Sequence, residues 1–333
     1  MSEVTGIDDA RWRGWPNDDR DEQPPGARAG SGNTAARVAA DAAAYERLAG
    51  WIQGGGVHAA GAGTAGSADH DPDLIVDDPL PGGPNQPTKP SQPFVRERGD
   101  ATVVDPKDVR QRSLGDCHLM APLAALASTE EGRKTIGKAI WSSTDAMGRP
   151  CYSVRLYVRT WYRTFEPKEF KVSAADVYVR GHALARTDDR APSNGGCWEI
   201  WPLLFEKAYA QLKEGYKAIA VDGSPAAALE ALTGQSATTT TFGILSGYTE
   251  KDLRGDLAAG KAIVFRTPAS STLLAYGLVA KHAYSVEGLE ERGGWTYVRL
   301  RNPYGREHPE PIPLVQMRKL FTAVDTCDSK AAP

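Results

Sequence analysis

Six prolines, at positions 79, 81, 84, 87, 90 and 93, divide this 333-residue chain into two unlike parts. A stretch so dense in proline stays extended and lacks the backbone donors that a helix or sheet ladder requires. Upstream of it, residues 1–32 are rich in Asp, Arg, Gly and Pro and carry almost no apolar periodicity, so disorder is expected there. Asn33 to Gln53 is the one helix candidate in the arm: Asn33 stands as cap, Val38, Ala42, Tyr45, Leu48 and Ile52 form a stripe, and Gly54-Gly55-Gly56 stops it. Such a helix needs a surface to pack on, either as plain packing or as a self-inhibiting segment. Residues 54–92 read as linker, and the folded part should begin near Pro93.

The net charge of −3, with mixed signs throughout, leaves no basic stripe for nucleic acid. No apolar run is long enough for a membrane span, and the acidic N-terminus is unlike a signal peptide. A cytoplasmic monomer with no membrane partner is the default expectation, and export without a cleavable signal stays open. The four cysteines, Cys117, Cys151, Cys197 and Cys327, form no C-x-x-C pair and are too few for a disulfide scaffold, so reduced thiols are expected.

Within the folded part, Leu119, Leu123 and Leu126 recur at helical spacing after Cys117. Cys151 to Arg159 alternates as a half-buried strand, with Lys168 to Val172 pairing nearby. A second helix is expected near Trp198 to Glu214, with Trp201, Leu204, Phe205, Ala208 and Leu212 on one face. Ser224-Pro225 caps a short helix that stops at Gly234. Ala262 to Thr267, Ala283 to Leu289 and Trp295 to Arg301 read as strands. A helix-rich half (93–222) followed by a strand-rich half (223–333) is an α+β arrangement.

The chemistry concentrates around Cys117. Asp116 is a good N-cap and Gly115 permits a sharp turn, which puts the sulfur at the positive end of a helix, where thiolate is favoured. A lone cysteine there is more often a small core residue. Gln111, six residues upstream, carries a side-chain N–H that suits an oxyanion, together with the Cys117 N–H. His118 is a poor base for its neighbour, since adjacent helical side chains point about 100° apart. For His282, a three-residue hairpin loop at Glu291-Arg292-Gly293 gives a register in which it lies directly opposite Asn302. The same register sets Tyr284 against Leu300, Val286 against Val298, and Ser285 against Arg299. An asparagine there would hold one tautomer of the imidazole.

Gln111-Arg112-Ser113-Leu114-Gly115-Asp116-Cys117 resembles the active-site segment of the calpain family of papain-like cysteine proteases. Glu199-Ile200-Trp201-Pro202-Leu203-Leu204, running on to Gly234, resembles its second helical segment. His282-Ala283-Tyr284-Ser285-Val286 and Arg299-Leu300-Arg301-Asn302-Pro303-Tyr304-Gly305 resemble its histidine and asparagine segments. The resemblance, over about residues 93 to 333, implies a papain-like two-subdomain fold and a cysteine endopeptidase acting on protein or peptide substrates. Cys117 would be the nucleophile, His282 the base and acid, Asn302 the orienter and Gln111 the oxyanion donor. An inactive interaction module and a thiol acyltransferase remain as alternatives. The sequence departs from the family at His118 and Tyr304, each in place of tryptophan, at Arg112 in place of glycine, and at Pro122 inside the helix. The resemblance also implies two calcium sites. Asp108 and Glu199 are candidate ligands for one, whereas the acidic loop of the other is missing between Gly305 and Leu314. Calcium at one site is therefore possible, and no cofactor is expected to be required.

Overall fold

The structure is a computed structural model that describes residues 91–95, 102–146, 148, 150–172, 178–179, 182–185, 198–220, 223–242 and 247–333. The helix candidate at 33–53, Cys197 and the arm before Ser91 lie outside the described residues. In chain order the elements are β1 (Ser91–Gln92), α1 (Cys117–Ala127), α2 (Glu130–Ala139), β2 (Ile140–Thr144), β3 (Pro150–Arg159) and β4 (Phe165–Val172). There follow β5 (Tyr178–Val179), β6 (His182–Ala183), β7 (Trp198–Glu199), α3 (Trp201–Leu212), α4 (Tyr216–Ile219), α5 (Pro225–Thr233) and β8 (Thr238–Thr241). The chain closes with α6 (Glu250–Ala258), β9 (Ala262–Arg266), β10 (Ala283–Arg292), β11 (Trp295–Arg301), β12 (Ile312–Pro313), α7 (Met317–Leu320) and β13 (Ala323–Cys327).

The strand-rich half is a six-stranded antiparallel sheet in the order β12-β11-β10-β9-β13-β8. Its late strand β13 slots between β9 and β8, a placement that local patterning cannot reveal because both partners are distant in sequence. The helix-rich half holds an antiparallel sheet of its own, β2-β3-β4, in which the expected strand at Cys151 to Arg159 pairs with Lys168 to Val172 and the added strand is β2. Ahead of Pro93, Ser91–Gln92 already pairs in parallel with Trp198–Glu199.

All eleven residues of α1 are buried, and the helix packs on α2, α5, β9 and β10 at the junction of the two halves. A helix covered on every side must be apolar all round, which explains Ala121, Ala124, Ala125 and Ala127 between the leucines. It runs unbroken through Pro122. Trp198 and Glu199, expected in the second helix, form strand β7, and α3 opens at Trp201 with Pro202 in its first turn, where its missing N–H costs nothing. The helix α5 follows the reading closely: the Ser224 side chain accepts from Ala227 N–H, and Gly234 ends the helix in the left-handed region at φ +68°.

The β10–β11 hairpin corrects the expected register. Its loop has two residues, Gly293 and Gly294, at φ +56° and +79°, with Arg292 paired to Trp295. Two consecutive positive φ values suit glycine and match the twist of the strands better than a three-residue loop. A bulge between Val286 and Gly288 then shifts the ladder, so Val286 faces Leu300 and Ser285 faces Arg301. One odd step at the turn and one at the bulge cancel, which keeps the apolar side chains on the core face.

Candidate active site

Carried one step past its last pair, the observed ladder puts Tyr284 across from position 302, so His282 is the diagonal neighbour of Asn302 rather than its direct partner. Diagonal residues on one sheet face stand about 7–8 Å apart, within reach of a side chain as long as imidazole. The two do meet: His282 Nε2 lies 3.0 Å from Asn302 Oδ1. Since a side-chain carbonyl only accepts, Nε2 carries the proton and Nδ1 keeps its lone pair. His282 is 5% exposed and Asn302 1%. The Tyr304 ring covers the imidazole at 4.7 Å between centroids, and the Tyr284 ring meets it edge-on at 5.0 Å. Burial pushes His282 down to about 4, opposed by the Asn302 bond, so the ring is neutral at neutral pH.

Cys117 is the first residue of α1 and a buried thiol outside any disulfide. It lies within electrostatic reach of Tyr284, whose hydroxyl accepts the Val279 N–H at 2.7 Å. The central helix thus carries the sulfur to the strand that begins just after His282. Gln111 is 6% exposed, and its Nε2 donates to the Leu114 carbonyl at 2.7 Å, which leaves the amide a second N–H. Its backbone N–H donates to the Pro303 carbonyl, 2.7 Å away, so Gln111 and the asparagine loop are joined directly.

Asp116 occupies the N-cap position of α1, but its side chain makes no capping bond. It is fully buried and faces Glu206 of α3, which is equally buried and takes the Ala185 N–H on Oε2 at 2.8 Å. Burial raises Asp116 to about 7, against the lowering effect of its contact with Glu206. Burial and then the Asp116 charge raise Glu206 well above the carboxylate range, tempered by Lys207. The pair therefore holds a proton at neutral pH, and Asp116 immediately precedes Cys117. Glu206 is a site residue that the sequence reading missed; the available signal was a charged pair, Glu206-Lys207, inside an otherwise apolar run. His118 is buried against Tyr209 and the backbone of Gly223, where an added Cβ would fall 1.9 Å from its ring. Burial pushes it too down to about 4.

The two candidate calcium ligands are engaged otherwise. Asp108 Oδ2 accepts the Asp105 N–H at 2.6 Å and the Trp201 indole N–H at 3.0 Å, while Glu199 Oε1 accepts the Val95 N–H at 3.0 Å. Calcium takes roughly six to eight oxygens. Here both carboxylates serve N–H donors, and no three His, Cys, Asp or Glu side chains converge among the described residues. Asp108 and Glu199 thus serve as acceptors for buried N–H groups in this structure.

A cysteine-bearing central helix, set against a sheet that presents a paired His and Asn, defines a papain-like cysteine protease domain of α+β architecture. The sequence profile of the calpain family cysteine proteases matches residues 89–310, and the chain belongs to that family. It is similar to calpain-9 of Homo sapiens, at 30% identity over 249 residues, which cover 66% of this chain and 32% of that protein. A thiol protease of Porphyromonas gingivalis is 30% identical over 221 residues, covering 60% and 44% respectively. The calpain-2 catalytic subunit of Gallus gallus is 29% identical over 219 residues, covering 60% and 28%. The chain thus spans less than half the length of these relatives. No helix among the described residues is long and apolar enough to cross a membrane.

Proposed function

We propose that the chain is a cysteine endopeptidase that cleaves peptide bonds through a Cys117 thioester. The observation that carries this reading is the buried 3.0 Å pairing of His282 Nε2 with Asn302 Oδ1, which leaves Nδ1 as the basic atom. His282 Nδ1 takes the thiol proton as the sulfur attacks the peptide carbonyl. A C–S bond forms, and the carbonyl oxygen becomes an oxyanion that accepts hydrogen bonds from the Cys117 N–H and the second Gln111 side-chain N–H. Collapse breaks the C–N bond, and His282 passes its proton to the leaving amine. Water, deprotonated by the same nitrogen, then hydrolyses the thioester and regenerates the thiol. The Tyr304 and Tyr284 rings keep bulk water from the imidazole, so the tyrosine that replaces the family's tryptophan serves as cover.

The test uses purified wild type and Cys117→Ala on an unfolded protein substrate, with parallel labelling by a thiol-directed epoxide. Cleavage and a single adduct at Cys117 in wild type, both absent from the variant, are expected. Equal turnover by both proteins would end the reading. Substantial transfer to an added amine acceptor, with little hydrolysis, would mark an acyltransferase instead. The His282→Ala change should lower turnover by roughly 10²-fold or more, and Asn302→Ala by less, because Asn302 orients the ring and moves no proton.

A further inference from the structure

We propose that His308 is a positioning residue of this site, holding Asn302 by its backbone while the Glu307 carbonyl holds it by its side chain. The inference rests on the reading that His282 works as the base. Asn302 leaves the end of β11 at the start of a turn, where a surface asparagine would sample several rotamers. Every polar group of Asn302 is engaged instead. Oδ1 takes His282 Nε2 at 3.0 Å and the Tyr304 N–H at 3.1 Å. Nδ2 donates to the Glu307 carbonyl at 3.4 Å, and the backbone carbonyl accepts the Gly305 N–H at 3.0 Å. The remaining group, the backbone N–H, donates to His308 Nδ1 at 3.1 Å.

A backbone N–H can only donate, so His308 Nδ1 must present its lone pair and the ring proton resides on Nε2, a tautomer in which Arg301 Nη1, 3.4 Å from Nε2, makes no hydrogen bond to the ring. Two features of the chain fix this imidazole. Pro309 follows it and restricts the backbone of His308 to extended conformations. Glu307 precedes it at φ +54°, a left-handed conformation that disfavours residues with a side chain. That strain sits where it aims the Glu307 carbonyl at the Asn302 amide, and strained backbone persists only where its surroundings hold it. The short connection between Gly305 and Leu314 thus closes back on Asn302 from both sides. Orientation passes from His308 and Glu307 to Asn302, and from there to the imidazole, in the way outer-shell partners set a histidine's tautomer and angle.

The test compares three full-chain variants. His308→Asn keeps an acceptor oxygen near the place of Nδ1, His308→Gln moves it one bond away, and His308→Leu removes it. Loss of kcat on the order of tenfold or more with KM nearly unchanged is expected for His308→Leu and His308→Gln, with most of it recovered in His308→Asn. The second readout is the His282 ring proton in the NMR spectrum, which needs no turnover. A slowly exchanging Nε2 proton in wild type should persist in His308→Asn and be lost from the other two. If His308→Leu fails to fold, the contrast between His308→Asn and His308→Gln decides alone. Equal kcat and equal ring-proton protection in those two variants would overturn the proposal. A wild type without cleavage, but with a ring proton that responds to position 308 as described, would sink the protease reading and leave the positioning role standing.

Discussion

The backbone N–H of Gln111 donates to the carbonyl of Pro303 across 2.7 Å, joining the segment that enters the Cys117 helix to the loop that carries Asn302. Gly305, at φ +70°, lets the same loop close on Arg110, since a Cβ there would fall 2.6 Å from Arg110 Cγ. The two sides of the site are therefore registered by direct contact between its own residues.

Because that bond uses the main chain, Gln111→Ala should preserve it while removing the side-chain donor. Turnover is expected to fall by roughly 10²-fold, the usual effect of losing one oxyanion donor. A modest drop in melting temperature should accompany it, as the Leu114 carbonyl loses its partner. Unchanged kcat with lowered stability would assign Gln111 a purely structural role.

The rate profile should have an unusually acidic lower limb. Burial holds His282 down to about 4, so the free base persists well below the ordinary histidine range. The acidic limb of kcat/KM is expected between about pH 4 and 6.5. A limb above pH 6.5 in the full chain would contradict a neutral resting imidazole.

Stability should fall as pH rises above 6.5. Both His118 and His282 are depressed, so the stability tied to their neutral forms is complete above the unfolded value of about 6.5 and adds no slope there. Asp116 and Glu206 are raised, so the folded state keeps a proton that the unfolded chain releases. That contribution is complete below the unfolded values and is lost as pH rises through about 7. Melting temperature measured from pH 6.5 to 8.5 should decline in wild type and flatten in Glu206→Gln. Identical slopes in the two proteins would refute the shared proton.

The hairpin loop offers a change confined to stability. Nothing lies within 4 Å of a Cβ built on Gly293 or Gly294, so only backbone strain opposes a side chain there. Gly293→Val should cost about 1–2 kcal/mol, read from denaturant unfolding, with kcat unaltered. A cost near zero would mean that the turn relaxes to another type.

Activity is expected to survive a calcium chelator, because Asp108 and Glu199 are occupied by N–H donors. Asp108→Ala should instead destabilise the fold by about 1–3 kcal/mol, since it strands the Trp201 indole and the Asp105 amide. Loss of cleavage in chelator, restored by calcium but not magnesium, would reverse this assignment.

Local pattern made much of this protein legible before any coordinates. The alternation of Cys151–Arg159, the serine and glycine that bound α5, and the helix after Cys117 are decided by residues within a few positions of one another, through period, capping and turn chemistry. The residues His282 and Asn302 emerged as neighbours even from a wrong register, because an error of two residues keeps side chains on the same face and imidazole spans the remaining diagonal. What tertiary structure alone decided are the relationships between segments far apart in sequence. The insertion of β13 between β9 and β8, the meeting of Asp116 with Glu206, and the Gln111–Pro303 bond depend on how two halves close around α1. Burial then did what composition could not foretell: it set the N-cap Asp116 against the buried Glu206, and it made Asp108 and Glu199 acceptors for buried N–H groups. In a desolvated interior an unpaired polar group costs more than a local capping preference returns, so the global packing chose each partner.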